Sequence, residues 1–130
     1  MLLTTFDPFA QRADYRRLAR MDAIRRENEV ELRFDLPGID PESIDVSVDR
    51  GVLTVKASRN EEYTEGEKPV IRERVMGSYV RRVRLSDAVD TEKIDASYND
   101  GVLSVRLPLL EKAQPRKVEI HTGDQKKIAA

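Results

Sequence analysis

The sequence predicts an all-β fold, a two-sheet antiparallel β-sandwich. Apolar and polar residues alternate with a period of two from about residue 29 onward, which is typical of strands that bury one face. Turn residues interrupt these short strands at regular intervals, as they do in sandwiches and barrels. One hairpin pattern also occurs twice, fifty positions apart. Together these observations indicate short strands that pair in two facing sheets.

The composition agrees with one folded domain that has a polar surface. The chain has 130 residues, near the common size of a single domain. Charged residues make up 36% of it, but the formal net charge is only -1. Leu, Ile, Val and Phe account for 34 of the 130 residues, more than in a disordered chain. The balanced charge counts against a basic surface for nucleic acid or an anionic membrane.

The first predicted strand ends at a turn, and a hairpin follows it. Apolar residues occupy every second position from Val30 to Leu36, and Pro37-Gly38 then breaks the strand. Residues 44–48 alternate in the same way. Arg50-Gly51 forms a tight turn, and residues 52–57 return as the hairpin partner.

The pattern of residues 44–55 recurs at residues 94–105. Both copies begin with Ile-Asp and place Gly-Val-Leu at the turn. A solenoid needs at least three stacked units, so one recurrence does not indicate a solenoid. We predict two similar hairpins in facing sheets, with an internal duplication whose copies do not touch as the alternative.

A long polar connection, residues 59–69, separates the two hairpins and leads to a short strand candidate at residues 70–75. Connections of this length in a small domain are usually functional or reach beyond the core. The next strand covers residues 79–85, and its alternation places Arg81 on the apolar side. A buried arginine needs a carboxylate, which either this chain or a second subunit supplies.

Both ends of the chain differ from the central domain, which we place at residues 21–110. Residues 1–20 form an N-terminal arm, at best a weak amphipathic helix. Residues 111–130 form a C-terminal extension, in which a polar tether leads to Val118-Glu119-Ile120. Its two β-branched residues lie on one face of an extended segment. The apolar residues near the start of the arm are Leu2, Leu3, Phe6 and Phe9.

The sequence contains no pattern that predicts catalysis, a metal or a cofactor. The absence of Cys excludes disulfides, thiolate metal sites and a cysteine nucleophile. The single histidine, His121, lies in the extension, where a solvated side chain is the expected role. No glycine-rich phosphate loop, HExxH or GxSxG motif is present. We therefore predict that the protein is not an enzyme.

The first residues do not resemble a targeting segment. A basic region is missing, and Asp7 and Pro8 interrupt the apolar stretch, so we expect no signal peptide. No run approaches the 18 apolar residues of a membrane span, so we expect no stable membrane insertion. These observations predict a cytoplasmic protein.

Four segments, in order and at matching separations, resemble motifs of the small heat-shock proteins, the family built on the alpha-crystallin domain. Residues 34–38 are similar to its D-L-P-G turn, and residues 77–85 to its G-x-F-x-R-x-x-x-L segment. Residues 96–103 are similar to its A-x-x-x-n-G-V-L signature, and residues 118–120 to its I/V-x-I/V tail motif. The resemblance spans residues 21 to 120 or so.

The resemblance implies an immunoglobulin-like antiparallel β-sandwich with a short flexible N-terminal arm and a C-terminal extension. It also implies an ATP-independent holdase that binds partly unfolded proteins under stress and prevents their aggregation. Such a protein acts as a dynamic homo-oligomer built from dimers, and it needs no cofactor. The chain departs from the family pattern at Tyr79, where Phe is more usual, and at Ser86, where Pro is common. Its arm is also short for the family.

The residues and the resemblance together suggest where assembly and client binding occur. Val118 and Ile120 would enter an apolar groove by strand addition at an open edge. Alternatively, they form a final strand of their own domain. The long connection would carry a strand into a partner's sheet. We assign the groove to Ile44, Val46, Ile94 and Ala96; the dimer interface to Val70, Ile71, Arg72, Val75 and Arg81; and client contacts to Leu2, Leu3, Phe6 and Phe9.

Two other classes of protein fit the sequence less well. A β-sandwich co-chaperone or adaptor would bind a defined protein partner, but such domains lack the tail motif. A carbohydrate-binding sandwich needs an exposed aromatic platform. The chain has no Trp, and its four Tyr residues are scattered, which disfavours that platform.

Overall fold

Antiparallel strands form the regular structure of the computed structural model, which describes residues 3–5, 19–111, 117–122 and 127–128. A 3-10 turn at Pro41–Ser43 precedes the fourth strand. The strands are β1 (Leu3–Thr5), β2 (Met21–Arg25), β3 (Glu29–Asp35), β4 (Asp45–Asp49), β5 (Val52–Arg59), β6 (Gly77–Leu85), β7 (Asp95–Asn99), β8 (Val102–Pro108), β9 (Ile120–His121) and β10 (Lys127–Ile128).

Two four-stranded sheets pack face to face around one core. The first sheet has the order β1-β6-β5-β4, and the second has the order β2-β3-β8-β7. The repeated hairpins, β4–β5 and β7–β8, fall in different sheets, as the sequence predicts. In the part of the chain that the structure describes, strands β9 and β10 pair with each other and with no other strand. The prediction of an all-β antiparallel sandwich is confirmed.

The core contains the inward-facing residues of both sheets. Along the central strands, most of these side chains alternate with less buried residues that point outward, which is the pattern read from the sequence. Burial of a large aliphatic or aromatic side chain contributes about 1.5 to 3 kcal/mol, so the central residues supply much of the stability. The largest fully buried side chains are Phe34, Leu32, Leu36, Leu53, Leu107, Val55, Val83 and Val105.

The two hairpin turns have the same backbone conformation. Arg50-Gly51 has φ values of 51° and 77°, and Asp100-Gly101 has 54° and 78°. Positive φ at both central residues defines the turn that suits the twist of a two-residue hairpin. The second turn also packs on the end of β3. A Cβ at Gly101 would lie 3.4 Å from the Cα of Pro37, so glycine permits this close approach.

Three parts of the chain differ from the sequence prediction. Residues 70–75 form no strand, because no other strand of the chain pairs with them. Residues 3–5 form a strand beside β6, where a weak helix was expected. Strand β2 was not predicted, because it lies at a sheet edge and buries no residue fully. The domain boundaries remain a prediction.

Candidate functional site

Strands β4 and β7 lie at one edge of the sandwich, in different sheets. The Arg81 guanidinium in β6 donates a hydrogen bond to the carbonyl of Ala19, just before β2, at 3.2 Å. This contact places β6 over the β2 side of the second sheet. From the strand orders, β4 and β7 then lie together on the opposite side. Among the strands that the structure describes, each of them has a partner on one side, so both have an open edge there.

The predicted groove residues lie on the core-facing side of these two edges. We call Ile44, Val46, Ile94 and Ala96 the edge groove. The first three are half-buried and pack against the core, whereas Ala96 is exposed. Binding of the tail to this surface remains a prediction.

Sequence reasoning missed two residues that belong to the same surface. Val48 and Tyr98 also pack half-buried against the core, one on each edge strand. The Tyr98 hydroxyl donates a hydrogen bond to the carbonyl of Leu36, which fixes the ring beside β3. Both residues share the strand parity of the predicted groove residues, so the alternation contained the signal that finds them.

The tail motif, Val118-Glu119-Ile120, is exposed and lies in neither four-stranded sheet. The exposed fractions of Val118 and Ile120 are 48% and 55%. Ile120 begins β9, where it lies opposite Ile128 of β10. The structure therefore does not support the alternative in which the motif completes its own sandwich. The hairpin of β9 and β10 was not predicted.

The long loop, residues 60–76, exposes adjacent apolar side chains. Val70 is 93% exposed and Ile71 is 77% exposed. Around them, the loop is held by its own contacts: the Arg72 guanidinium lies 5.1 Å from the centre of the Tyr63 ring, and the Arg74 side chain pairs with Glu61 at 3.1 Å. The loop thus presents apolar surface on a defined path.

The end of the long loop is anchored to the sandwich. Val75 is half-buried, and its carbonyl accepts a hydrogen bond from the Tyr79 hydroxyl at 2.7 Å. The same carbonyl accepts a second bond from Arg59 Nε at 3.0 Å. Of the predicted dimer-interface residues, Val75 therefore joins the loop to the domain, whereas Val70 and Ile71 extend away from it.

Arg81 faces inward and is half-buried, on the same side of β6 as the buried Tyr79 and Val83. Across the sheet it lies opposite the buried Val55. Its acceptor is the carbonyl of Ala19, and within the described part of the chain no carboxylate lies at ion-pair distance. A role for Arg81 at a subunit interface remains a prediction.

Glu31 is a buried charged residue that the sequence analysis missed. It points to the outer face of β3, yet it is only 4% exposed, because arginine side chains surround it. Arg33 Nε donates a hydrogen bond to one carboxylate oxygen, and Arg26 contacts the other at 3.1 Å. Arg106 lies 3.9 Å from the carboxylate. The hydrogen bond from Arg33 is the main cause that lowers the pKa of Glu31, against the opposite effect of desolvation.

The family model described as the Hsp20/alpha crystallin family matches residues 22–121, from β2 to β9. The chain belongs to this family. The resemblance drawn from four short motifs is therefore confirmed, and family membership supports a chaperone role. The family is that of the small heat-shock chaperones, which are generally non-enzymatic. That this chain lacks catalysis remains a prediction from its sequence.

Curated proteins that are similar to this chain come from bacteria and from a plant. The chain is 43% identical over 109 residues to the 18 kDa antigen 1 of Mycobacterium intracellulare, which covers 80% of this chain and 69% of that protein. It is 41% identical over 108 residues to the 18 kDa heat shock protein of Streptomyces albus G, which covers 80% and 73%.

Solved structures of small heat-shock proteins share the fold. A small heat-shock protein from Xylella fastidiosa has a TM-score of 0.67 at 37% identity, covering 81% of this chain and 97% of that one. Heat shock protein 16.0 from Schizosaccharomyces pombe has a TM-score of 0.66 at 32% identity, covering 82% and 98%.

Two other features concern only the residues that the structure describes. Within them, no three His, Cys, Asp or Glu residues come together as metal ligands. In the same part of the chain, no helix has the length and apolar character needed to cross a membrane. The edge groove, the long loop and the tail motif remain the predicted functional surfaces of the chain.

Proposed function

We propose that this protein is an ATP-independent holdase that binds partly unfolded proteins under stress and prevents their aggregation. The observation that carries this proposal is the exposure of β-branched residues on the long loop and on the tail. Val70 and Ile71 on the long loop, and Val118 and Ile120 on the tail, remain in solvent in a single chain. Exposed apolar surface of this kind marks a site of association with other proteins.

Dimers form through the long loop. Its exposed apolar residues, Val70 and Ile71, suit addition to the sheet of a partner subunit. Strand β2 offers an open edge for this purpose, since β3 is its one partner among the described strands. The hydrogen bond from Arg81 to Ala19 lies at the start of this strand, which supports the assignment of Arg81 to the region of the interface.

Larger oligomers form when the tail motif of one subunit enters the edge groove of another. Burying Val118 and Ile120 contributes about 1.5 to 3 kcal/mol each before the entropy cost, so one contact is reversible. Many such contacts in one assembly act together through avidity. The Xylella fastidiosa relative was described as having a distinct high order structure, which supports assembly beyond the dimer in this family.

Clients bind to apolar surface that opens when the oligomer exchanges subunits. The edge groove becomes available when a tail leaves it. The N-terminal arm supplies the other contacts; Leu2, Phe6 and Phe9 lie outside the described residues, and Leu3 begins β1. Such a chaperone captures non-native chains by mass action and needs no reaction centre. A cytoplasmic location remains a prediction from the sequence.

The test is an aggregation assay without nucleotide. A heat-labile enzyme is warmed alone, with this protein, and with an unrelated β-sandwich protein of similar size, and turbidity is followed. The proposal predicts that a molar excess of this protein suppresses most of the turbidity, whereas the control protein does not. Turbidity that rises unchanged in the presence of this protein would contradict the proposal. A requirement for ATP would contradict it as well.

A further inference from the structure

The tail and strand β4 have complementary sequences, position by position. Residues 45–49 read Asp-Val-Ser-Val-Asp, and residues 117–121 read Lys-Val-Glu-Ile-His. Both segments place apolar residues at their second and fourth positions. At the first and fifth positions, β4 carries acids, while the tail carries a lysine and a histidine. At the centre, a serine in β4 corresponds to a glutamate in the tail.

The structure presents these positions on matching faces. In β4, Val46 and Val48 are half-buried toward the core, and the polar residues at positions 45, 47 and 49 are exposed on the outer face. All five residues of the tail segment are exposed. A strand that pairs with β4 and points its apolar residues at the core must place its polar residues beside the outer face.

Given the tail docking proposed above, on which this inference rests, we propose one strand and one register for it. The tail of a second copy adds to the open edge of β4 in the antiparallel direction. Lys117 then lies opposite Asp49, Glu119 opposite Ser47, and His121 opposite Asp45. The serine hydroxyl can donate a hydrogen bond to the glutamate, so this register places no like charges face to face.

The charges around β4 favour the antiparallel direction. Asp45 has a basic residue, Lys56, directly across β5, whereas Asp49 lies opposite Val52. The negative charge of Asp49 therefore has no cation opposite it in its own sheet. The permanently charged Lys117 gains more beside Asp49 than beside Asp45. In the parallel direction, Lys117 would instead lie opposite Asp45, which already has Lys56 across from it.

Strand β7 is a poorer acceptor, although it is the repeat counterpart of β4. Its sequence, Asp95 to Asn99, has an acid at one end only. In the antiparallel register, Lys117 would face the neutral Asn99. The exposed Ala96 and half-buried Tyr98 instead suit β7 to be the facing wall, which receives the apolar side chains of the tail.

Cross-linking tests the register directly, because the chain has no cysteine of its own. Lys117→Cys and Asp49→Cys are placed in two separate full-length chains that differ in tag size, mixed, and oxidised. Opposed residues on neighbouring antiparallel strands lie at disulfide distance, whereas a shift of four residues separates them beyond reach. The proposal predicts a mixed-size disulfide dimer on a non-reducing gel for this pair.

The matched controls pair Lys117→Cys with Asp45→Cys or with Asn99→Cys. A mixed dimer that forms preferentially with Asp45→Cys would show the parallel direction and overturn the proposed register. Preferential reaction with Asn99→Cys would place the tail on β7 and overturn the choice of strand. Equal reaction with all three positions would also overturn it, because no single register would then exist.

Charge reversal gives an independent readout. Lys117→Asp and Asp49→Lys should each weaken assembly roughly two- to five-fold at low salt, and combining them should restore it. Raising the salt concentration should reduce these differences. The inference would be contradicted if neither single variant weakened assembly. It would also be contradicted if the double variant assembled no better than the single variants.

Failure of the register and failure of tail docking can be separated. The variant Val118→Ser with Ile120→Ser removes the apolar contacts in any register. If this variant dissociates the oligomer while the cross-links contradict the register, the proposed function stands and only the register is wrong. If it leaves the oligomer unchanged, tail docking itself fails.

Discussion

The centre of the sandwich and the long loop contain the same kinds of apolar side chain in opposite surroundings. Phe34 and Val83 are completely buried, whereas Val70 and Ile71 are almost completely in solvent. Burial in the sandwich stabilises the fold of one chain. Exposure in the loop and tail keeps apolar surface free for other chains, and the ion pairs around Glu31 and the outward charges keep the remaining surface polar.

The largest expected effect is the loss of stability when a side chain in the core of the sandwich is removed. Phe34→Ala should lower the free energy of unfolding by about 3 to 5 kcal/mol, because it removes a large side chain and leaves a cavity. The matched variant in the loop, Val70→Ala, should change it by less than about 0.5 kcal/mol. Urea unfolding followed by circular dichroism measures both. Similar losses in the two variants would mean that the loop belongs to the core of the fold.

A substitution at Arg81 tests whether this inward-facing arginine stabilises the sandwich. Arg81→Ala should cost about 1.5 to 3 kcal/mol of stability, because it removes a charged hydrogen bond to the Ala19 carbonyl and the packing of the side-chain stem. Lys56→Ala, an exposed position on β5, serves as the control and should have little effect. The measurements are thermal unfolding and the rate of subunit exchange. If Arg81→Ala leaves both unchanged, its inward position has no structural importance.

A smaller effect is expected on the pH dependence of stability, and it should differ between two glutamates whose pKa is lowered. Hydrogen bonds from Arg33 lower the pKa of Glu31 in the sandwich, and one from the Thr64 hydroxyl lowers that of Glu67 in the loop. Ionised Glu31 stabilises the folded state above its ordinary pKa of 4.5. This contribution is lost as the pH falls through the lower pKa of the folded state.

Glu31→Gln should therefore lower stability at neutral pH and flatten the decrease in stability below pH 4.5. Glu67→Gln should leave the curve close to that of the unchanged chain, because its partner is a neighbour in the loop. The midpoints of urea unfolding, measured at several pH values from about 3 to about 7, compare the stability of each variant with that of the unchanged chain. A curve for Glu31→Gln that parallels the unchanged chain would show that the arginine cluster does not stabilise the fold.

The sequence predicted the sandwich well because its central strands bury one face. The alternation from Val30 to Leu36 marks β3, and the glycine turns mark both hairpins. Strand β2 escaped prediction, because an edge strand with only Met21 and Ile24 half-buried shows little alternation. Glu31 also escaped it, because its burial depends on arginines from β8 and from the turn before β3, which alternation along one strand does not reveal.

Only those parts of the candidate site that show a residue pattern within one short segment were predicted. The spacing of Val118 and Ile120 identified the tail, and strand parity identified the edge groove. The strand candidate at residues 70–75 is not formed within the single chain, since a strand exists only where another strand pairs with it. If the pairing strand belongs to a second subunit, the structure of one chain alone does not show residues 70–75 as a strand.

The measurement that tests this division of roles most directly is the mass of the oligomer formed by Val118→Ser with Ile120→Ser. Multi-angle light scattering gives the mass, and thermal unfolding gives the stability of the same sample. We expect the mass to fall to that of a dimer while the unfolding midpoint stays unchanged, because the tail motif lies outside both four-stranded sheets. An oligomer of unchanged mass would contradict the account, since the exposed tail would then have no role in assembly.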